Sequence, residues 1–162
     1  AVNHIVDWLY AKNKCQSVVD LFCGIGAITL PIASKGIRSV GVEVNSESIR
    51  LARENAKINN IQNVEFIELD IYNNLNRIFE NIEALVIDPP RKGLSKSLLN
   101  QIIKSQPKFI VYLSCNCSTL ARDLATLCSD LAYYKIVNIQ PIDFFPQTTH
   151  VEVLVFLKLI NS

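Results

Sequence analysis

Short β-rich segments alternate with helical patterns along most of the chain, which predicts βαβ units in a mainly parallel sheet. The predicted strands are Ser17–Phe22, Ser39–Glu43, Val64–Leu69, Ala84–Asp88, Phe109–Ser114, Tyr134–Gln140 and Val151–Leu159. The last two strands follow each other without a helix, so we expect them to pair antiparallel. The predicted fold class is α/β, with a doubly wound sheet of seven strands, mostly parallel, and one antiparallel strand near the edge.

Apolar residues at helical spacing predict the segments between the strands. The predicted helices are an opening helix through Val2, Ile5, Val6 and Leu9, a turn and helix over Gly24–Lys35, Ser46–Asn59, a short helix through Leu75, Ile78, Phe79 and Ile82, Ser97–Ser105, and a helix from Ser118 or Thr119 to Leu131.

Composition indicates one domain over residues 1–162, with 49% apolar residues to build a core. The chain shows neither an apolar run of membrane-spanning length nor a signal peptide, so we expect a soluble protein without membrane partners. The net charge of +1 gives no basic footprint for nucleic acid. Because the chain starts at Ala1 and contains no Met, we expect a domain cut from a longer protein.

Five cysteines, an odd number, favour the reducing cytoplasm over an oxidising compartment. Cys115 and Cys117 form a single C-x-C pair. A closed zinc site needs four ligands, usually from two spaced pairs, and neither His4 nor His150 completes such a set. We therefore expect no metal.

Three successive predicted strands end in residues suited to a nucleoside cofactor, since ligands of open α/β sheets bind at the carboxyl ends of the strands. The first is followed by Gly24 and Gly26, without the third glycine of a dinucleotide fingerprint. The second ends at Glu43, which suits ribose hydroxyls, and the third at Asp70, which suits an adenine amino group. Together they predict an adenosine-containing cofactor, although a plain strand–helix turn explains the glycines alone.

Three further residues could carry chemistry. Asp88 precedes Pro89, which holds it extended and aims its side chain, unless the prolines only terminate the strand. Cys115 lies between a strand end and a helix N-terminus, where a thiolate is favoured, unless it is a buried structural cysteine. Glu152 is a lone carboxylate in an apolar run, suited to proton transfer in a pocket or to solvent near an edge.

These segments resemble two sets of family motifs. Asp20–Gly26 with Glu43 resembles motif I and the ribose-binding acid of S-adenosylmethionine-dependent methyltransferases, whose sheet is Rossmann-like. The following segments together resemble the RNA 5-methyluridine methyltransferases: Asp88–Gly93, Ser114–Asn116 with Thr119–Leu124, and Phe145-Pro146 with Thr149–Glu152. The resemblance covers the family's C-terminal catalytic half, without its N-terminal RNA-binding domain. Cys117-Ser118 and Gln147 depart from the Pro-Ala and His common in the family.

The resemblance implies a monomeric, cytoplasmic enzyme that uses S-adenosyl-L-methionine to make 5-methyluridine in tRNA or large-subunit ribosomal RNA. It implies Cys115 as the nucleophile, Glu152 as the base and Asp88 on the uracil edge. The implied cofactor residues are Asp20, Phe22, Gly24, Gly26, Glu43, Asp70 and Asp88. Phe144 or Phe145 could stack on RNA, or belong to the core.

Two alternatives remain. A 5-methylcytosine methyltransferase also uses a cysteine, but its fourth-strand motif typically carries Pro-Cys where this chain has Pro90-Arg91. A non-catalytic cofactor-binding module is the other, although Asp88, Cys115 and Glu152 are all present.

Overall fold

Seven strands form one sheet in the computed structural model, which describes residues 1–72, 82–129, 134–142 and 151–160. They are β1 (Ser17–Leu21), β2 (Arg38–Glu43), β3 (Val64–Glu68), β4 (Ala84–Ile87), β5 (Phe109–Ser114), β6 (Tyr134–Ile142) and β7 (Glu152–Leu159). Their order across the sheet is β3-β2-β1-β4-β5-β7-β6. β1 to β5 run parallel, whereas β7 is antiparallel to both β5 and β6. The predicted doubly wound α/β sheet, with one antiparallel strand near its edge, is confirmed.

The helices lie close to their predicted positions. They are α1 (Val2–Asp7), continued by a π-helical segment (Trp8–Lys12), α2 (Thr29–Ala33), α3 (Ser46–Ile58), α4 (Lys96–Ser105) and α5 (Cys117–Leu127). Helix α5 begins earlier than expected because Asn116 is its N-cap, and the Asn116 side chain accepts hydrogen bonds from Ser118 N and Thr119 N. The short helix predicted through Leu75, Ile78 and Phe79 lies outside the described residues.

Both faces of the central strands are buried, which explains why these strands read as continuous apolar runs. On β4, Leu85 and Ile87 pack into one core with α4 and α5, while Ala84 and Val86 pack into a second core with α1 and α2. All four β4 side chains are inaccessible to solvent. Among the described residues, no helix is long and apolar enough to cross a bilayer.

The strand order reverses at β1, whose neighbours are β2 on one side and β4 on the other. Open α/β sheets bind ligands at such a switch point, outside the carboxyl ends of the strands. The segments that follow β1, β2, β4 and β5 therefore meet at one edge of the sheet, and β7 begins at that same edge because it runs antiparallel.

Candidate active site

The glycine turn after β1 is packed against Phe66 at Gly26 and is open at Gly24. Phe22, Gly24 and Gly26 all have positive φ values, of 65°, 53° and 85°. A Cβ atom on Gly26 would lie 2.9 Å from Phe66 Cζ, so the chain has no room for a side chain there. A Cβ atom on Gly24 would meet nothing within 4 Å. The turn thus leaves space above Gly24 in which a ligand can approach the backbone.

Asp20 lies beneath this turn and is 1% exposed. The Thr29 hydroxyl donates to Asp20 Oδ2 at 2.6 Å, while Oδ1 has no hydrogen-bond partner among the described residues. Burial raises the pKa of Asp20 to about 7, against the hydrogen bond from Thr29, which lowers it. A buried carboxylate oxygen without a donor is costly, so this atom is suited to a donor or a cation supplied by a ligand.

Glu43 joins the end of β2 to the glycine turn. Its Oε1 accepts hydrogen bonds from Val44 N at 2.8 Å and Asn45 N at 2.9 Å, and its Oε2 accepts a longer one from Gly24 N at 3.3 Å. A carboxylate offers about four acceptor sites, so Oε2 can still accept from a hydroxyl group. Asp70 lies two residues beyond β3 and accepts from Tyr72 N at 3.0 Å.

Tyr72 is a residue of this region that the sequence did not single out. Its ring centroid lies 6.0 Å from that of Phe22, and the Lys92 ammonium nitrogen lies 4.6 Å from the Tyr72 ring centroid. The pair of rings therefore connects the turn after β1 with the loop after β4. Only its position two residues after Asp70 could have drawn attention to it.

Asp88 follows β4 at the centre of the sheet edge. Solvent reaches its carboxylate, yet enough protein surrounds the group that loss of hydration, together with the charge of Glu152, raises the pKa of Asp88 to about 6. The charge of Asp88 in turn contributes to the raised pKa of Asp20. The charge of Glu152 therefore acts on Asp88, and that of Asp88 acts on Asp20.

Cys115 is the first residue after β5 and is half-buried. The β5–β7 ladder ends with Ser114 opposite Val153. Cys115 follows Ser114, where the chain bends, and Glu152 precedes Val153. The sheet thus brings Cys115 and Glu152 to the same end of this ladder, although they are far apart in sequence.

A cleft of about 440 Å³ opens beside Cys115 and is lined by Arg91, Cys115, Asn116, Cys117 and Val151. The Asn116 side chain, besides capping α5, donates from Nδ2 to Arg91 O at 3.0 Å. The cleft is therefore bounded by the loop after β4, the start of α5 and the start of β7.

The predicted site residues fall into two adjoining groups. In the first group, Gly24 in the turn after β1 donates to Glu43. In the second, Asp88 and Glu152 lie near enough for the charge of Glu152 to raise the pKa of Asp88, and Cys115 lines the cleft. Phe144, Phe145, Gln147 and His150 lie outside the described residues. Within the described part of the chain, no group of three or more His, Cys, Asp or Glu side chains could hold a metal ion.

The sequence and the fold of this chain are similar to those of known proteins. An uncharacterized RNA methyltransferase of Prochlorococcus marinus is 44% identical over 162 residues, covering 100% of this chain and 38% of that protein. One from Protochlamydia amoebophila is 43% identical over 155 residues, covering 94% of this chain and 35% of that protein. The chain thus spans little more than a third of the length of these relatives.

Among solved structures, the chain is similar to the Pyrococcus abyssi tRNA (uracil-54, C5)-methyltransferase, crystallised in complex with S-adenosyl-L-homocysteine. The two share a TM-score of 0.81 and 30% identity, over 96% of this chain and 36% of that one. The methyltransferase domain of a bacterial Hen1 protein shares the fold alone, with a TM-score of 0.75 at 13% identity. The family model of the tRNA (Uracil-5-)-methyltransferases matches residues 1–160, and the chain belongs to that family.

Proposed function

We propose that this chain transfers a methyl group from S-adenosyl-L-methionine to carbon 5 of a uridine in tRNA or ribosomal RNA, through a covalent bond between Cys115 and the uracil ring that Glu152 helps to resolve. The observation that carries the proposal is that Cys115 lines an open cleft at the end of the β5–β7 ladder where Glu152 also lies. Membership of the family supports uracil carbon 5 as the target.

The residues at the first three strand ends suit S-adenosyl-L-methionine, which supplies an electrophilic methyl group when bound. The open space above Gly24 admits a ligand against the backbone, and the remaining acceptor site on Glu43 Oε2 suits a ribose hydroxyl. The buried Oδ1 of Asp20, which has no hydrogen-bond partner in the described part of the chain, suits the cationic part of the cofactor. Phe22 and Gly26 shape the turn, and we expect Asp70, whose Oδ1 accepts from Tyr72 N, also to accept from an adenine amino group.

The proposed chemistry follows from the weakness of uracil carbon 5 as a nucleophile. The Cys115 thiolate forms a bond to carbon 6, and the electrons of the C5–C6 double bond move toward O4, which makes carbon 5 nucleophilic. Once carbon 5 carries the methyl group, Glu152 accepts the proton of carbon 5 and the electrons of that bond expel the thiolate. Asp88, with its raised pKa, can hydrogen-bond the uracil edge and stabilise the enolate.

RNA must present the uridine out of its stack for this reaction, because the attack on carbon 6 comes from above the ring. The exposed Arg91 lines the cleft, and the exposed Lys92 follows it in the same loop. Both cations are suited to the phosphates of the extruded nucleotide. Comparison of tRNA with ribosomal RNA as substrates identifies which of the two this protein methylates.

The test incubates full-length protein with the cofactor and with unmodified tRNA or ribosomal RNA transcripts, followed by nucleoside mass spectrometry. We expect 5-methyluridine from the wild-type protein and neither product nor covalent RNA adduct from Cys115→Ala. Cys117→Ala is the matched control, because this exposed thiol lines the same cleft, and it should still form the adduct. Methylation by Cys115→Ala, or 5-methylcytidine as the product, would contradict the proposal.

A further inference from the structure

The segment Thr119–Leu124, which resembles a family motif, has no part in the chemistry described above. It contains Asp123, a carboxylate inside α5 that is 0% exposed. Asp123 is not one of the residues that line the cleft, which are Arg91, Cys115, Asn116, Cys117 and Val151. A buried carboxylate is retained only when its partners satisfy it, so the identity of those partners indicates its role.

Four hydrogen-bond donors of the described residues contact the Asp123 carboxylate. Its Oδ2 accepts from Leu94 N at 2.8 Å and from the Tyr112 hydroxyl at 2.7 Å. Its Oδ1 accepts from Arg122 Nε at 2.9 Å and from Arg122 Nη2 at 2.7 Å. One carboxylate therefore joins the loop after β4, the core strand β5 and the side chain of its own neighbour.

The Arg122 guanidinium extends the same connection to the loop. Its Nη2 donates to Lys92 O and to Leu94 O, both at 3.1 Å. Between these two residues, Gly93 crosses α5 so closely that a Cβ atom would lie 2.6 Å from Asp123 Oδ2 and 2.8 Å from Arg122 Nη2. The loop backbone thus lies directly on the Arg122–Asp123 pair, with no room for a side chain.

A second set of hydrogen bonds fixes the loop nearer the cleft. Arg91 O accepts from Asn116 Nδ2 at 3.0 Å and from Thr119 Oγ1 at 3.2 Å. These groups are exposed or half-buried, and water competes for such bonds. The buried Asp123 connection is shielded from that competition and is the stronger constraint on the loop.

The loop that Asp123 holds begins at Asp88, and the helix that contains Asp123 begins just after Cys115. β4 and β5 pair with Ile87 opposite Tyr112, so these two ends lie side by side. We propose that Asp123, together with Arg122, is a positioning residue: it sets the loop after β4 against the start of α5 and so fixes Asp88 and Arg91 relative to Cys115. This inference rests on the proposed function, because it assigns those residues to one reaction.

Two variants disturb the connection by different means. Asp123→Asn keeps the shape but replaces one acceptor oxygen with a donor group, which then faces another donor. Gly93→Ala leaves the carboxylate intact and instead displaces the loop from it, since the new methyl group would overlap Asp123 and Arg122. If Asp123→Asn does not fold, Gly93→Ala alone decides the question.

Tyr112→Phe is the matched control. It removes a hydrogen bond from the same carboxylate oxygen but on the core side, and it leaves Leu94 and Arg122 in contact with Asp123. A purely structural role for Asp123 predicts that all three variants lose activity in proportion to their loss of stability. A positioning role predicts a loss of turnover only where the loop contact is changed.

The experiment measures kcat, the KM for S-adenosyl-L-methionine and its calorimetric Kd on full-length protein, at a temperature where circular dichroism shows each variant folded. We expect kcat to fall at least tenfold in Asp123→Asn and Gly93→Ala, with KM and Kd within twofold of wild type, and kcat of Tyr112→Phe to stay within twofold. Unchanged kcat in the first two, or an equal loss in Tyr112→Phe, would overturn the inference. Wild-type methylation without a Cys115 adduct would instead overturn the proposed function, and the kcat comparison would still stand.

Discussion

Asp20→Asn should make the fold less sensitive to pH, because Asp20 is buried beneath the glycine turn. Burial raises its pKa from an ordinary value of 3.8 to about 7. The folded protein therefore keeps a proton on Asp20 that the unfolded chain has already released. The contribution of this group to stability is greatest at acidic pH and is lost as the pH rises from about 4 to about 7.

The size of the effect follows from the two pKa values. Each pH unit between them is worth about 1.4 kcal/mol, so ionised Asp20 costs the fold about 4 kcal/mol near pH 8. Asparagine cannot ionise, and its amide oxygen can still accept from the Thr29 hydroxyl. At pH 4 both side chains are neutral in the fold, and each has one group without a partner among the described residues, so the two proteins should be similarly stable.

Urea unfolding followed by circular dichroism at pH 4, 6 and 8 measures this difference. The free energy of unfolding of Asp20→Asn, minus that of the wild type, should increase by about 4 kcal/mol between pH 4 and pH 8. Other titrating groups are common to both proteins, so most of their contribution cancels in the difference. A difference that changes by less than about 1 kcal/mol over this range would refute the reasoning, because Asp20 would then ionise as it does in the unfolded chain.

Two further predictions concern the backbone around the site. Gly26→Ala should lower the free energy of unfolding by about 1–3 kcal/mol, measured by urea unfolding, because residue 26 has a left-handed backbone and the new Cβ would crowd Phe66. Gly36→Ala is the control, since Gly36 has a similar φ of 86° but nothing within 4 Å, and it should lose less stability. Equal losses in the two variants would show that crowding plays no part. Asn116→Ala should lower the free energy of unfolding by about 1 kcal/mol, because α5 loses its N-cap. The same variant should reduce kcat in the methylation assay, because Asn116 Nδ2 no longer donates to Arg91 O. A loss of stability with kcat unchanged would contradict this second expectation.

The sheet was predictable because its strands carry their own signature. β5 was placed at its observed bounds, since Phe109–Ser114 is a continuous apolar run between polar segments. The antiparallel pairing of β6 with β7 followed from the missing helix between them. The π-helical segment after α1 was not predicted, because the apolar spacing of Trp8 and Leu9 fits an ordinary helix equally well.

The site was only partly predictable, because much of it depends on contacts that are distant in sequence. The pattern placed Cys115 at a strand end and Glu152 at a strand start, but it is the β5–β7 pairing that brings both to the same end of one ladder. Asp20 belonged to a motif, yet its full burial depends on packing around Thr29. Asp123 reads as an ordinary helical residue until the structure brings Leu94 and Tyr112 to it.

Glu152→Gln tests the central claim most directly, because it separates formation of the covalent bond from its release. Glutamine preserves the size of the side chain but cannot accept the carbon 5 proton, so turnover should slow by roughly 10²–10⁴-fold while Cys115 still attacks. Full-length Glu152→Gln protein would be incubated with S-adenosyl-L-methionine and unmodified RNA, digested and analysed by mass spectrometry. The account predicts a methylated uridine attached to Cys115. The absence of that adduct, under conditions in which the wild-type protein methylates the same RNA, would contradict it.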